Sequence, residues 1–163
     1  STPVQMALGA ALAVCLMELN GFKENDFAKI HPGGSLGNNL TAKVEQFLSS
    51  QKPQVSENAK IREIIISVSG SSHGITVVTD GEAITGVITD GDLRRMLLSE
   101  QDLSKIIAKD IMSTHPKSID KNALAKEAMQ ILKDKNIGQL IVTDHGKYHG
   151  IIDIHRLLDE GIN

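Results

Sequence analysis

Residues 58–93 return 64 positions later without insertion or deletion, and this constrains the fold more than any other feature of the chain. Asn58, Ala59 and Glu63 recur as Asn122, Ala123 and Glu127. Gly74 recurs as Gly138, and Val78-Thr79-Asp80 as Val142-Thr143-Asp144. Gly86, Ile88 and Leu93 recur as Gly150, Ile152 and Leu157. A fixed self-similar period marks one supersecondary unit used more than once. A unit of about 60 residues buries too little surface to be stable with ease alone. The duplication therefore predicts two small units packed sheet to sheet about a pseudo-twofold axis, with a cleft between them.

Each copy reads β-α-β-β-α, an α/β (α+β) arrangement. A short strand near Val55, or Ile119 in the second copy, leads to Asn58 or Asn122, expected to cap a helix. Ile61, Ile64, Ile65 and Val68 then fall at i, i+3, i+4 and i+7, one apolar stripe, as do Leu124, Ala128, Ile131 and Leu132, with Met129. Strands follow at Ile75–Thr79 and Ile84–Thr89, turning at Asp80-Gly81; their counterparts are Leu140–Thr143 and Tyr148–Asp153. These strands are almost continuously apolar, so both faces should be covered. A final helix closes each copy.

The 163 residues are 40% apolar and 23% charged, a globular composition. Aromatics make up 2%, Trp is absent and the net charge is −3, which argues against a nucleic-acid partner. The lone Cys15 cannot form an internal disulfide, so a cytoplasmic protein is expected. No cofactor is implied. His145, His149 and His155 surround the last hairpin, but hairpin geometry does not force them together, and no metal site is expected.

Ahead of the repeats, Ser1-Thr2-Pro3 is a helix opening, a hydroxyl cap followed by proline, and Asn20-Gly21 is a stop. Between them Val4, Met6, Leu8, Leu12, Val14, Leu16 and Met17 cover every face. Such a helix must be buried on several sides. At Ser1–Met17 the uncharged run is short for a membrane span, and no membrane partner is expected. With an opening Ser and an uncovered helix, the chain reads as a piece of a longer protein, its helix covered by another domain or subunit. His31-Pro32-Gly33-Gly34-Ser35-Leu36-Gly37 then forms a glycine-rich turn beside a histidine able to act as acid, base or donor.

The candidate binding residues lie where strand meets helix. In Gly86-Val87-Ile88-Thr89-Asp90-Gly91-Asp92-Leu93, the Thr89 hydroxyl and Asp92 carboxylate can face one ligand. Without a ligand, Asp92 still favours the helix start by ~0.3–1 kcal/mol. Arg94 and Arg95 sit on a helix face within reach of a phosphate or carboxylate. In the second copy Asp153 and Arg156 replace Thr89 and Asp92; at i and i+3 they can also pair with each other.

The signature Gly86 to Leu93 resembles that of CBS domains, and two in tandem resemble a Bateman module. The resemblance implies that Thr89 and Asp92 hold the phosphate and ribose of a nucleotide. It adds Thr114, His115 and Pro116, within Ser113-Thr114-His115-Pro116-Lys117, as contacts to base or sugar. Asp153 and Arg156 depart from the pattern. Val4–Ala13 followed by Asp26-Phe27-Ala28-Lys29-Ile30-His31-Pro32-Gly33-Gly34-Ser35-Leu36-Gly37 resembles the arabinose-5-phosphate isomerase family, sugar-isomerase (SIS) proteins carrying a CBS pair. That resemblance implies an SIS tail at 1–40 and CBS domains at 41–100 and 104–163. It further implies that His31 is catalytic in the parent enzyme, which converts ribulose 5-phosphate to arabinose 5-phosphate for the lipopolysaccharide sugar Kdo. The expected partners are a nucleotide or nucleotide-sugar such as CMP-Kdo, and further copies of the chain, dimeric here and tetrameric in the parent. This chain alone is expected to be inactive. The alternative is a dimerisation or tetramerisation module with no sensing role.

Overall fold

The computed structural model describes residues 1–23, 26–27, 30, 41–98 and 102–162. Helix α1 (Thr2–Leu19) comes first, and a single 3-10 turn spans Val44–Phe47. The first unit is β1 (Gln54–Ser56), α2 (Ile61–Gly70), β2 (Ile75–Asp80), β3 (Ala83–Thr89) and α3 (Asp90–Leu97). A connection with α4 (Ala108–Ile111) and β4 (Ser113–Thr114) leads to the second. That unit is β5 (Ser118–Asp120), α5 (Ala125–Lys135), β6 (Gln139–Asp144), β7 (Lys147–Asp153) and α6 (Ile154–Asp159). The expected order is present twice.

The sheets run β1-β2-β3-β4 and β5-β6-β7. In each, the first strand is parallel to the second and the next two form an antiparallel hairpin. The register slips between Val78 and Thr79, and again between Val142 and Thr143, so even the irregularity is duplicated. The second hairpin turns at His145 and Gly146, with φ of +48° and +79°, the left-handed pair a type I′ turn requires.

Alternation along the strands explains their apolar character. Val78 and Ile88 point to the helices of the first unit, packing with Ile64, Val68, Leu93 and Met96. Leu140, Val142 and Ile152 do the same in the second, against Ala128, Met129, Leu132 and Leu157. The other faces meet sheet to sheet: Ile75 and Val77 pack with Ile141, Tyr148 and Ile151. Tyr148 donates its hydroxyl proton to the Pro53 carbonyl at 3.1 Å, and burial raises the phenol's pKa, keeping it neutral. Within the first unit the buried Thr76 hydroxyl is satisfied by Ser67 at 2.8 Å.

The lead-in segments cross over. Ala42, Val44 and Phe47 precede the first unit but are buried in the core of the second. Ile106, Ala108, Ile111 and Met112, which precede the second unit, pack in the core of the first. Antiparallel bridges Lys43–Leu124 and Lys60–Ile107 fasten the two exchanges. Neither unit is therefore a contiguous stretch of chain.

Some local expectations are corrected. The helix N-caps are Lys60 and Leu124 rather than Asn58 and Asn122, and neither makes a side-chain cap bond. Asn122 donates instead to Asp120, whose carboxylate already organises that turn. Helix α1 starts at Thr2 with Ser1 as N-cap and no side-chain cap bond; it ends at Asn20, whose side-chain amide donates to Leu16. The helix forms, but no residue of it is buried: its apolar faces stay exposed apart from the short return of Phe22 and Lys23 beside Val14 and Met17.

Candidate functional site

Both strand–helix junctions open into clefts between the units. At the first, Thr89 is the N-cap of α3 and forms a capping box with Asp92. The Asp92 Oδ2 accepts from the Thr89 amide at 2.8 Å and the Thr89 hydroxyl at 2.7 Å. Its Oδ1 accepts from Arg95, one turn on, and from the Ser113 hydroxyl at 3.4 Å. A carboxylate offers about four acceptor positions. Asp92, 7% exposed, has four donors and is a satisfied buried group.

Thr89 lines a cavity of about 400 Å³, and Asp92 stands behind it. Ile75, Val87 and Ile141 give that cavity an apolar floor; Thr89, Thr114, His115 and Pro116 stand on its walls, with Lys117 and Gln139. His115 has φ of +59°, and its Nδ1 lies 3.2 Å from the Thr114 hydroxyl. Strand β4 reaches this wall because Gly86 has no side chain. A Cβ there would meet Met112 Sδ at 2.7 Å and the Ser113 carbonyl at 2.9 Å. The cleft thus joins a flat apolar surface to hydroxyls and an ammonium, groups suited to a planar ring carrying an anionic tail.

Asp153 and Arg156 do not enter this cavity. They line a separate one of about 200 Å³ at the second junction, with Ser49, Ser50, Ser72 and His73. Asp153 caps α6 by accepting from the His155 amide at 2.8 Å, and it also accepts from Gln139 at 3.2 Å. His73 Nδ1 faces Asp153 at 3.5 Å and His73 Nε2 lies 2.8 Å from the Ser49 hydroxyl. Asp153 and Arg156 do not pair: the Asp153 carboxylate is turned toward His73, and Arg156 is exposed. Sequence reading passed over His73, Ser49 and Gln139, although the same 64-residue offset relates His73 to Ile137 and Ser49 to Ser113. His31 lies outside the described residues. His145 and His155 are exposed, the former beside Asp144, and His149 lines a third hollow of about 380 Å³ between the hairpin tips. There Glu82 pairs with Lys147 at 2.5 Å and Asp144 with Lys121 at 2.9 Å, which balances its charge.

Two sheet–helix units face to face, with a cleft at each strand–helix junction, define a tandem pseudo-symmetric module. The CBS-domain family model matches residues 44–99 and 108–163, and the chain belongs to the CBS-domain family. It is 37% identical over 166 residues to an arabinose 5-phosphate isomerase KdsD of Pseudomonas aeruginosa, covering 99% of this chain and 51% of that protein. The chain thus spans about half the length of the curated relatives it matches. A CBS domain protein from Pyrobaculum aerophilum, complexed with AMP, superimposes with a TM-score of 0.64 at 21% identity, over 71% of this chain and 89% of that one. The CBS domain of a bacterial CNNM/CorC family Mg2+ transporter, in complex with ATP, superimposes with a TM-score of 0.64 at 18% identity, over 79% and 94%. At these identities the two structures attest the fold.

Proposed function

We propose that this chain is the regulatory CBS pair of an arabinose-5-phosphate isomerase and binds a nucleotide or nucleotide-sugar in the Thr89 cleft. The observation that carries this reading is the cavity itself. Its volume of about 400 Å³ falls within the usual range for small-molecule sites, and it joins an apolar floor to Thr89, Thr114, His115 and Lys117. A base lies on Ile75, Val87 and Ile141, a phosphate meets Thr89 and Lys117, and Asp92 accepts from a sugar hydroxyl by exchanging one of its present donors. CMP-Kdo is the proposed physiological ligand, being anionic and carrying both a ribose and a carboxylate. Binding that favours one arrangement of the units biases the attached enzyme, with typical couplings of ~1–3 kcal/mol.

In this reading residues 1–40 are the tail of an SIS domain, and α1 is covered by the body of that domain. His31 serves catalysis in the parent, moving a proton between adjacent carbons as ribulose 5-phosphate becomes arabinose 5-phosphate. The parent is cytoplasmic and tetrameric, and this chain alone is inactive. Calorimetric titration of the chain with AMP, ATP, CMP and CMP-Kdo tests the proposal. Saturable heat that Asp92→Asn abolishes is the expected result; folded protein that binds none of the four overturns it.

A second reading, an assembly module without a sensing role, is favoured by one observation. Ile65 and Ile66 on α2, and Leu97 and Leu98 at the end of α3, are 41–81% exposed. Sedimentation of the chain, with and without Leu97→Glu, separates a scaffold that dissociates from a sensor that still binds.

A further inference from the structure

The second cleft invites a different ligand from the first. It has about half the volume, roughly 200 Å³ against 400 Å³, below the range of a drug-sized site. Its polar groups are arranged for charge rather than for a ring. Arg156 occupies the position of Asp92; its carbonyl accepts from the Glu160 amide, but its guanidinium makes no ion pair or hydrogen bond among the described residues, so its planar fork of donors is uncommitted. Ser50 contributes a hydroxyl that is likewise uncommitted. Across the cleft, His73 is held between Ser49 at 2.8 Å and Asp153 at 3.5 Å, with its side chain 17% exposed. With the ring proton on Nε2, His73 donates to Ser49, and the Ser49 hydroxyl proton turns outward as one more donor.

We propose that this second cleft binds the phosphate group of a small metabolite, through Arg156, Ser50 and the His73–Ser49 pair, and that it does not accept a nucleoside. Asp153 is the opposing element. Its carboxylate faces the cleft, accepts from the Gln139 amide at 3.2 Å and lies 3.5 Å from His73 Nδ1. That charge limits affinity for an anion. The proposal does not depend on the nucleotide reading of the first cleft, since the two cavities share no lining residue.

The test is a titration of the full 163-residue chain with inorganic phosphate at constant ionic strength, followed by amide NMR shifts. Saturable shifts at Ser49, Ser50, Ser72 and His73 are expected, with those at Thr114 and His115 unmoved. Arg156→Gln weakens phosphate by about tenfold or more, the value of one charge-assisted contact, and leaves AMP affinity unchanged. Asp153→Asn preserves an acceptor for the His155 amide, so α6 stays capped, and tightens phosphate several-fold. Shifts confined to residues 113–117, an Arg156→Gln protein that binds phosphate as wild type does, or AMP displacing phosphate from Ser50 and His73 would each overturn the assignment. Failure of AMP to bind anywhere would sink the nucleotide reading of the first cleft and leave the phosphate result standing.

Discussion

The two clefts stand at equivalent places in the duplicated backbone and differ by an exchange of charge. In the first, Thr89 caps the helix and the buried Asp92 carboxylate anchors the wall behind it. In the second, Asp153 does the capping and an exposed Arg156 replaces the carboxylate. Thr and Asp are close substitutes as N-caps, because each offers an oxygen to an amide of the first helical turn. They are not substitutes toward a ligand, because a hydroxyl can donate and a carboxylate can only accept. Duplication has thus preserved what the backbone needs at both junctions while the chemistry facing the clefts has diverged.

The two units share one wall, and breaking it should have the largest effect. Ile151 is fully buried between the sheets, so Ile151→Ala should cost ~2–5 kcal/mol in denaturant unfolding and weaken both clefts together. A loss confined to one cleft would show that the sheets do not act as a common support. Next in size comes a matched pair of glycines. Gly86→Ala drives a Cβ into Met112 and into the backbone carbonyl of Ser113, so β4 must shift, at ~1–3 kcal/mol. Gly150→Ala meets only the Leu48 side chain, at 3.2 Å, which can move aside, and it should cost clearly less. Equal costs would contradict the view that the first cleft has the stiffer wall.

Removing the caps sharpens the comparison further. Thr89→Ala and Asp153→Ala should each cost ~1 kcal/mol, since each residue accepts an amide at its helix start. A loss at only one of them would mean that the duplication does not extend to capping.

The smallest effect is electrostatic and lies in acid. Glu57 and Lys121 hold equivalent positions with opposite charge. The Glu57 carboxyl is held below its usual range by Lys109, then by Thr85; Asp144 is held down by Lys121. A lowered carboxyl adds stability that is present above its ordinary pKa and is lost as the pH falls through the lowered value. Glu57, Lys121 and Asp144 are half-buried and Lys109 is exposed, so solvent still screens both pairs and the contributions are small. The stability gap between wild type and Glu57→Gln or Asp144→Asn, measured in urea, should therefore close on acidification below pH ~4. A gap that widened there would have the wrong sign.

How much of this was legible depended on how local the cause was. The constant offset of Gly74, Gly86 and Val78-Thr79-Asp80 from their copies revealed the element order, both hairpins and the Thr89–Asp92 junction. Crossing of the lead-in segments was hidden, because Val44, Phe47, Ile106 and Ala108 are too few to carry a periodicity, and nothing local says which core they enter. Arg95 engaging Asp92, and His73 reaching Asp153, depend on side-chain direction and on a contact 80 residues apart in the chain. Asn58 and Asn122 look like caps because Asn is favoured there, but an adjoining Asp120 captured Asn122 first. The composition of α1 calls for burial, yet its residues are exposed, because burial depends on what stands against a helix and not on its own sequence.

A crystal structure of the chain grown with AMP and phosphate together tests the division of labour most directly. The account predicts AMP against Thr89 over Ile75, Val87 and Ile141, and phosphate on Arg156 beside His73. AMP lodged against Asp153 and Arg156, with the Thr89 cleft empty, would contradict it.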